Sequence, residues 1–120
     1  MTKVSIIIPL HNAESFISEA IDSCLNQTYT SIEVIVVENG SNDGSWNIIS
    51  NYKDSRISCF QIEASSATVA RNFGYLKSVG DYIIFLDADD VLVPNKIELQ
   101  LAALSAKPEG WVASCAWAKF

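Results

Sequence analysis

The sequence has 120 residues, of which 49% are hydrophobic and 18% are charged, and its formal net charge is −6. The length suits one domain, and the apolar content is sufficient for a core, which excludes a disordered chain. The acidic balance and the presence of only two arginines, Arg56 and Arg71, leave no basic patch, so nucleic acids and anionic membrane surfaces are poor candidate partners.

The start of the chain predicts a strand followed by a helix. Residues 4–9 are apolar and mostly β-branched, which favours a strand. A helix is predicted over residues 13–26, because its apolar residues recur at helical spacing: Ile17, Ile21, Cys24 and Leu25. Asn12 is the expected N-cap of this helix, with Glu14 as a favourable acid in its first turn.

The second strand is predicted at residues 32–38, which are apolar without alternation and therefore typical of a strand buried on both faces. Residues 39–44 are all turn formers (Asn, Gly, Ser, Asn, Asp, Gly) and predict a tight loop. A short helix is expected over residues 45–52. Its inward-facing residues are expected to be Trp46 and Ile49.

Residues 57–62 predict a third strand, and residues 67–79 predict a third helix with Gly80 as its candidate C-cap. The core-facing residues of this helix are expected to be Val69, Phe73 and Leu76. Residues 82–86 predict a fourth strand, buried on both faces and hence central in its sheet.

A last helix is predicted from Pro94 to about Lys107, since proline is compatible with a first helical turn. Residues 111–120 are rich in large apolar groups and predict a fifth strand. Because an apolar edge strand invites pairing, self-association through it is one hypothesis. A second hypothesis is that the sequence is the N-terminal part of a larger protein.

Strands that alternate with helices predict an α/β fold, with a mostly parallel sheet covered by helices on both faces. The cysteines Cys24, Cys59 and Cys115 are far apart, so neither a zinc knuckle nor a redox dithiol is predicted. Reduced thiols, and the lack of a run of about 18 apolar residues, predict a cytoplasmic location. Attachment to the cytoplasmic membrane face would require parts of the protein outside this sequence.

Three carboxylates, Asp87, Asp89 and Asp90, follow the predicted fourth strand directly. Like charges this close disfavour one another's ionisation, and a divalent cation removes that penalty. Mg²⁺ or Mn²⁺ held by carboxylates and substrate phosphates is the usual arrangement. The alternative is that Asp89 and Asp90 only cap the helix that follows.

Polar residues follow each of the first four predicted strands, at residues 9–12, 38–43, 70–72 and 87–90. In a parallel sheet these segments share the carboxyl edge, where ligands of open α/β sheets bind. Amides and acids suit a base or ribose, while an arginine and a cation suit phosphates. The set therefore indicates a site for a nucleoside diphosphate.

Four segments carry a resemblance to a known family. They are VSIIIP at residues 4–9 with Asn12 after it, EVIVVENGSNDGS at residues 33–45, ARNFG at residues 70–74 and GDYIIFLDADD at residues 80–90. Together, and in this order, they resemble the motifs of the family 2 glycosyltransferases, including the acid-x-acid (DXD) motif.

The resemblance implies a GT-A fold, with residues 1–120 forming the Rossmann-like, nucleotide-sugar-binding (donor) half. The implied donor-binding residues are Pro9, His11, Asn12, Glu38, Asn39, Ser41, Arg71, Asp87 and Ala88. The implied ligands of Mg²⁺ or Mn²⁺ are Asp87, Asp89 and Asp90. The base stays open between uracil and thymine, because the family often has two aspartates where this chain has Glu38-Asn39.

The implied reaction is inverting transfer of a sugar from a nucleotide-diphosphate sugar to a hydroxyl of a sugar or lipid-linked glycan acceptor. Its setting would be cell-surface polysaccharide or glycan synthesis. The catalytic base is expected beyond residue 120, so the 120 residues alone are expected to be inactive.

Three alternatives belong to other classes. A non-catalytic nucleotide-sugar-binding module would keep the donor site without transfer. A signalling receiver domain would need an acidic pair after the first strand and an Asp after the third, which this sequence lacks. A nucleotidyltransferase would usually need a glycine-rich, basic loop after the first strand, which is also missing.

Overall fold

The computed structural model describes residues 2–105, in which strands and helices alternate. The strands are β1 (Val4–Leu10), β2 (Ile32–Asn39), β3 (Ile57–Ile62) and β4 (Tyr82–Phe85). The helices are α1 (Ile17–Leu25), α2 (Ser45–Ser50), α3 (Ala67–Lys77) and α4 (Lys96–Ser105). The predicted α/β class is confirmed.

The four strands form one sheet in the order β3-β2-β1-β4, and every pair is parallel. In the β1–β2 register, Val4 lies opposite Ile32 and Leu10 lies opposite Glu38. The strand ends are therefore aligned, and the loops after β1, β2 and β4 leave the sheet at the same edge. The predicted parallel sheet is confirmed.

Side chains of β1 alternate between two apolar clusters, one on each face of the sheet. Ile6, Ile8 and Leu10 belong to the cluster that includes residues of α1, α2 and α4, whereas Ile7 packs with residues of β2 and α3. Each buried isoleucine contributes roughly 1.5–3 kcal/mol. Burial on both faces explains why β1 and β2 are continuous apolar runs, and it confirms that helices cover both faces.

The prediction that the fourth strand is central and buried on both faces was wrong for the described residues. Within residues 2–105, β4 pairs only with β1 and lies at one edge of the sheet. Tyr82 is 38% exposed and Phe85 is 47% exposed. An apolar run alone cannot distinguish an edge strand from a central one, because the neighbours of a strand are set by topology.

The predicted core face of the third helix was wrong for two of its three residues, whereas Phe73 packs against the apolar cluster around Ile7, as predicted. Val69 and Leu76 are exposed, and the buried residues of α3 are Ala70 and Gly74. A Cβ atom on Gly74 would lie 2.5 Å from Cγ2 of Ile7, so the helix approaches the sheet too closely for a larger side chain. The fully buried positions of this helix are therefore small residues, with the larger Phe73 partly buried beside them.

Helix α3 ends at Lys77, and its C-cap is Ser78 instead of the predicted Gly80. Ser78 has extended backbone angles, with φ −78° and ψ 148°, so no left-handed residue is needed. Gly80 instead lies against β1, where its N–H donates to Oγ of Ser5 at 2.9 Å.

Helix α1 begins at Ile17, later than predicted, and its N-cap is Phe16. Asn12 and Glu14 are not in the helix, because both bond to the loop after β2. Side chains that bond to nearby backbone groups compete with helix formation. In α2, Ile49 is buried as predicted, but Trp46 is 36% exposed, contrary to prediction.

The last helix begins at Lys96, two residues later than Pro94. Its predicted end near Lys107 and the predicted fifth strand at residues 111–120 lie outside the described residues, as does the proposed self-association surface. Among residues 2–105, none of the helices combines the length and hydrophobicity required to cross a bilayer.

Candidate functional site

A cavity of about 330 Å³ opens at the carboxyl edge of the sheet. This volume is at the lower end of the range for small-molecule sites. Its lining combines predicted and unpredicted residues. The predicted ones are Pro9, His11, Asn12, Asn39, Arg71, Asp87, Ala88 and Asp89. The parallel register therefore brings the ends of three strands and α3 to one place.

Three predicted site residues are not among the described residues that line this cavity: Glu38, Ser41 and Asp90. The Glu38 side chain is buried at 1% exposure and accepts a hydrogen bond from the Ser41 N–H at 2.6 Å. Gln61 approaches the same carboxylate at 3.4 Å. In this structure Glu38 holds the turn after β2, and its contact with a base or ribose stays a prediction.

Sequence reasoning missed four lining residues: Leu10, Ala13, Phe16 and Ala67. Leu10, Ala13 and Ala67 carry no polar group that could have marked them. Phe16 did carry a signal, because it is a large aromatic residue outside the apolar face of α1, and it is 46% exposed. An exposed aromatic side chain at a cavity is available for contact with a ligand ring.

The loop after β1 is joined to the loop after β2 by bonds from Asn12. Its N–H donates to Oγ of Ser41 at 2.9 Å, and its Oδ1 accepts from the N–H of Asn42 at 2.9 Å. Asn12 has a φ of 47°, in the left-handed region that asparagine tolerates better than most residues. The bonds of Asn12 therefore fix the conformation of the loop after β1, which places His11 at the cavity.

A second set of bonds joins the same loops around Glu14. Its carboxylate accepts from the N–H of Gly44 at 2.9 Å, and its N–H donates to Asp43 at 3.2 Å. Asp43 also accepts from the Ser45 backbone N–H at 3.0 Å. The pKa of the Asp43 carboxyl is lowered first by a hydrogen bond from the Ser45 side chain and further by backbone N–H groups, including those of Ser45 and Glu14. The two loops are thus fixed to each other by reciprocal bonds.

His11 Nδ1 lies 2.7 Å from the backbone oxygen of Asn39. A carbonyl oxygen can only accept, so Nδ1 carries the proton and donates. The Asn12 side-chain amide nitrogen lies 3.4 Å from the other ring nitrogen, Nε2. The bond from Nδ1 orients the imidazole at the cavity wall.

Asp87, Asp89 and Asp90 form an acidic cluster just after β4. Each offers one carboxylate oxygen, and these oxygens all lie within 4.8 Å of one another. Asp87 and Asp89 are exposed, while Asp90 is buried at 7% exposure. Two ligands of a hard divalent cation, each about 2.1–2.5 Å from it, are separated by no more than about 5 Å, so this all-oxygen set fits such a cation.

The alternative role for Asp89 and Asp90, capping the following helix, is not supported by their position, because α4 begins only at Lys96. The guanidinium of Arg71 lies 3.7 Å from Oδ1 of Asp87, and both side chains are partly exposed at 39% and 50%. Arg71 and two acids of the cluster, Asp87 and Asp89, therefore line the same cavity.

Comparison with known proteins identifies the family. Residues 5–119 match the model of glycosyl transferase family 2. An uncharacterised glycosyltransferase of Haemophilus influenzae is 45% identical over 104 residues, which are 84% of this chain and 42% of that protein. An Escherichia coli UDP-Glc:alpha-D-GlcNAc-diphosphoundecaprenol beta-1,3-glucosyltransferase is 42% identical over 102 residues, covering 84% and 41%.

Solved structures agree. S. aureus TarS 1–349 in complex with UDP superposes with a TM-score of 0.81 at 26% identity, covering 87% of this chain and 32% of that TarS chain. The Pyrobaculum calidifontis mannosyltransferase in complex with GDP-Man and Mn²⁺ gives a TM-score of 0.71 at 25% identity, covering 80% and 30%. This chain thus spans less than half the length of these relatives, and it belongs to glycosyltransferase family 2 with a GT-A fold.

Proposed function

We propose that the cavity binds a nucleotide-diphosphate sugar and that the chain is the donor-binding part of a glycosyltransferase. The sugar would pass to a hydroxyl of a sugar or lipid-linked glycan acceptor during cell-surface polysaccharide or glycan synthesis. The names of similar proteins support this proposal: one relative is a UDP-Glc-dependent glucosyltransferase with a diphosphoundecaprenol acceptor, and TarS was solved with UDP. A cytoplasmic location is also proposed, which agrees with the free thiols of Cys24 and Cys59.

One observation carries the proposal: Arg71, Asp87 and Asp89 line the same cavity, and Asp90 offers a carboxylate oxygen within 4.8 Å of oxygens of both acids. Three carboxylates alone would repel a diphosphate. A divalent cation among them would offset most of this negative charge, and its open coordination positions would take phosphate oxygens. Arg71 adds the planar donor set that suits phosphate.

The proposed cation is Mg²⁺ or Mn²⁺, held by Asp87, Asp89 and Asp90. When bound, it would supply Lewis-acid stabilisation of the charge on the leaving nucleoside diphosphate. Arg71 would donate to a phosphate oxygen. The wall around Pro9, His11 and Asn12 would contact the nucleoside, with the orientation of His11 already set by Asn39. No residue is assigned as the catalytic base.

Calorimetric titration of the full-length protein tests the proposal. UDP and dTDP are each titrated with and without Mn²⁺, on the wild type and on Asp89→Asn. We expect binding that requires Mn²⁺ in the wild type and is weakened at least about tenfold by Asp89→Asn, a loss of about 1.4 kcal/mol. The preferred nucleotide would identify the base.

The matched control is Glu19→Gln, which also removes one negative charge from an exposed acid, but on α1 and away from the cavity. It should bind as the wild type does. Binding that is equally strong without Mn²⁺ and in Asp89→Asn would rule out the proposed metal site. Absence of binding of either nucleotide to the wild type would rule out the donor site.

A further inference from the structure

The side chain of Asn39 is bonded to the loop between β3 and α3. Its Nδ2 donates to the backbone oxygen of Ser65 at 2.8 Å, and its Oδ1 accepts from the N–H of Ser65 at 2.8 Å. The donor and the acceptor of the Asn39 side-chain amide are thus both bonded to the backbone of Ser65, as two residues of paired β-strands are bonded to each other. Asn39 is buried at 5% exposure, so little of the amide is left for a ligand.

The backbone of Asn39 is bonded to His11, which lines the other side of the cavity. Its oxygen accepts the hydrogen bond from Nδ1 of His11 at 2.7 Å. One residue is therefore bonded to the loop after β1 through its backbone and to the loop after β3 through its side chain. Both loops lead to residues that line the cavity: His11 on one side, Ala67 and Arg71 on the other.

The packing beside Asn39 shows how close this second loop lies. Gly40 has a φ of 65°, and a Cβ atom built on it would overlap Ala64. One residue after Ser65, Ser66 is the N-cap of α3, and its Oγ accepts from the N–H of Val69 at 3.2 Å. Because Ser65 directly precedes this N-cap, a bond that fixes Ser65 also restrains the start of the helix that carries Arg71.

We propose that Asn39 is a positioning residue, which fixes the 63–66 loop and the start of α3, and does not read the base. The inference has two parts. The restraint of the 63–66 loop by Asn39 does not depend on the proposed function. The effect of Asn39 on nucleotide binding rests on the proposed function. An aspartate at position 39 would keep the size of the side chain but place a carboxylate oxygen against the Ser65 oxygen, where neither can donate.

Hydrogen exchange tests the loop restraint without any nucleotide. Ser65 is an exposed residue, so its amide would exchange rapidly unless its bond to Asn39 protects it. We expect measurable protection of this amide in the wild type and exchange at least about tenfold faster in Asn39→Asp. The control is Asn47→Asp, which makes the same change at an exposed position on α2 and should leave Ser65 unaffected.

Nucleotide binding tests the second part. UDP and CDP have similar shapes but present opposite hydrogen-bonding groups on the base edge. A positioning role predicts that Asn39→Asp weakens both by the same factor, at least about tenfold, with their affinity ratio unchanged within about twofold. A change in the UDP-to-CDP ratio would show that Asn39 reads the base and would overturn the inference.

Two further results separate this inference from the proposed function. Rapid exchange of the Ser65 amide in the wild type overturns the inference, whether or not nucleotides bind. If the wild type binds neither nucleotide, the proposed function fails, and the exchange experiment alone decides the loop restraint. If Asn39→Asp does not fold, the NMR signals of the Asn39 side-chain amide in the wild type provide the test. These signals should stay unshifted on UDP binding if Asn39 is a positioning residue. A shift on UDP binding would show that Asn39 contacts the base.

Discussion

Asn12 and Asn42 are joined by a 2.9 Å hydrogen bond in which the Asn42 backbone N–H donates to the Asn12 side chain. The bond spans two loops that are 30 residues apart in sequence. It satisfies a backbone donor in the turn after β2 and holds Asn12 in a left-handed conformation with a φ of 47°. The shape of the cavity therefore depends on a residue that the sequence predicted as a helix cap and a donor contact, but not as a link between two loops.

Two replacements of Asn12 should distinguish the stability that comes from its hydrogen bond from the stability that comes from its tolerance of positive φ. We expect Asn12→Ala to lower the free energy of unfolding by about 1–2 kcal/mol, because it loses the bond and places alanine at positive φ. Asn12→Gly should lose less, since glycine adopts this conformation readily. Urea unfolding measures both. Asn42→Ala is the control, because Asn12 bonds to the backbone of residue 42, which this substitution keeps. If Asn42→Ala lowered the free energy of unfolding as much as Asn12→Ala does, the bond from Asn12 would not be the cause.

Gly74 should not tolerate a methyl group. Gly74→Ala would gain about 1 kcal/mol of helix propensity, but its Cβ would lie 2.5 Å from Ile7, and overpacking typically costs about 1–3 kcal/mol. We expect a net loss of stability in urea unfolding. Asn72→Ala makes a helix-favouring change on the exposed side of the same helix and should be neutral or slightly stabilising. A Gly74→Ala protein as stable as Asn72→Ala would mean that α3 does not pack as described.

Arg71→Gln should weaken binding of UDP but not of uridine. Hydrogen bonds to charged groups contribute about 1.5–3 kcal/mol, so the Kd for UDP should rise about 10- to 100-fold. Calorimetry with both ligands measures the difference. Lys77→Gln removes a positive charge from the same helix outside the cavity and should leave UDP binding unchanged. Equal weakening of UDP and uridine by Arg71→Gln would place Arg71 at the nucleoside instead of the phosphates.

Asp54 should contribute to acid sensitivity. Hydrogen bonds from Arg56 lower the pKa of the Asp54 carboxyl from 3.8 to about 2. A pKa that is lower in the folded state gives stability that is present above the unfolded pKa and is lost as the pH falls through the folded one. The pair should therefore stabilise the fold above about pH 4 and lose this effect towards pH 2.

The carboxyl carbon signal of Asp54 in an NMR titration checks this assignment. In Arg56→Gln its pKa should rise part of the way towards the ordinary value, because the guanidinium donors are lost while the backbone N–H of residue 56 still donates. Lys53→Gln removes an exposed charge next to Asp54 without removing those bonds, and should leave the pKa low. If both variants raised the pKa equally, general charge, not the Arg56 hydrogen bonds, would be its cause.

The sequence predicted the strands and the parallel sheet because these follow from local patterns and from general rules of α/β topology. It failed where neighbours decide the outcome. The apolar run at β4 did not reveal that only one strand, β1, pairs with it in the described residues. Of the three large apolar residues assigned to the packed face of α3, Phe73 packs there but Val69 and Leu76 are exposed, because close approach of the helix to Ile7 selects Ala70 and Gly74.

The site was predicted as a set of loops, because parallel strands bring their carboxyl ends together. Most of the predicted residues line the cavity, including His11, Arg71 and Asp89. The partners of each side chain could not be predicted. That the amide of Asn39 meets Ser65, 26 residues later, depends on the path of the β3–α3 loop, which no local pattern encodes.

The central claim is that a divalent cation and a diphosphate bind together at the carboxyl edge, next to Asp87 and Arg71. The most direct measurement is paramagnetic broadening of backbone amide NMR signals on addition of Mn²⁺ with UDP. We expect the signals of residues 87–90 and of Arg71 to be broadened first, while those of Lys3 and Gly80, at the amino edge of the sheet, stay sharp. Broadening centred on another part of the molecule, or none at residues 87–90, would contradict the account.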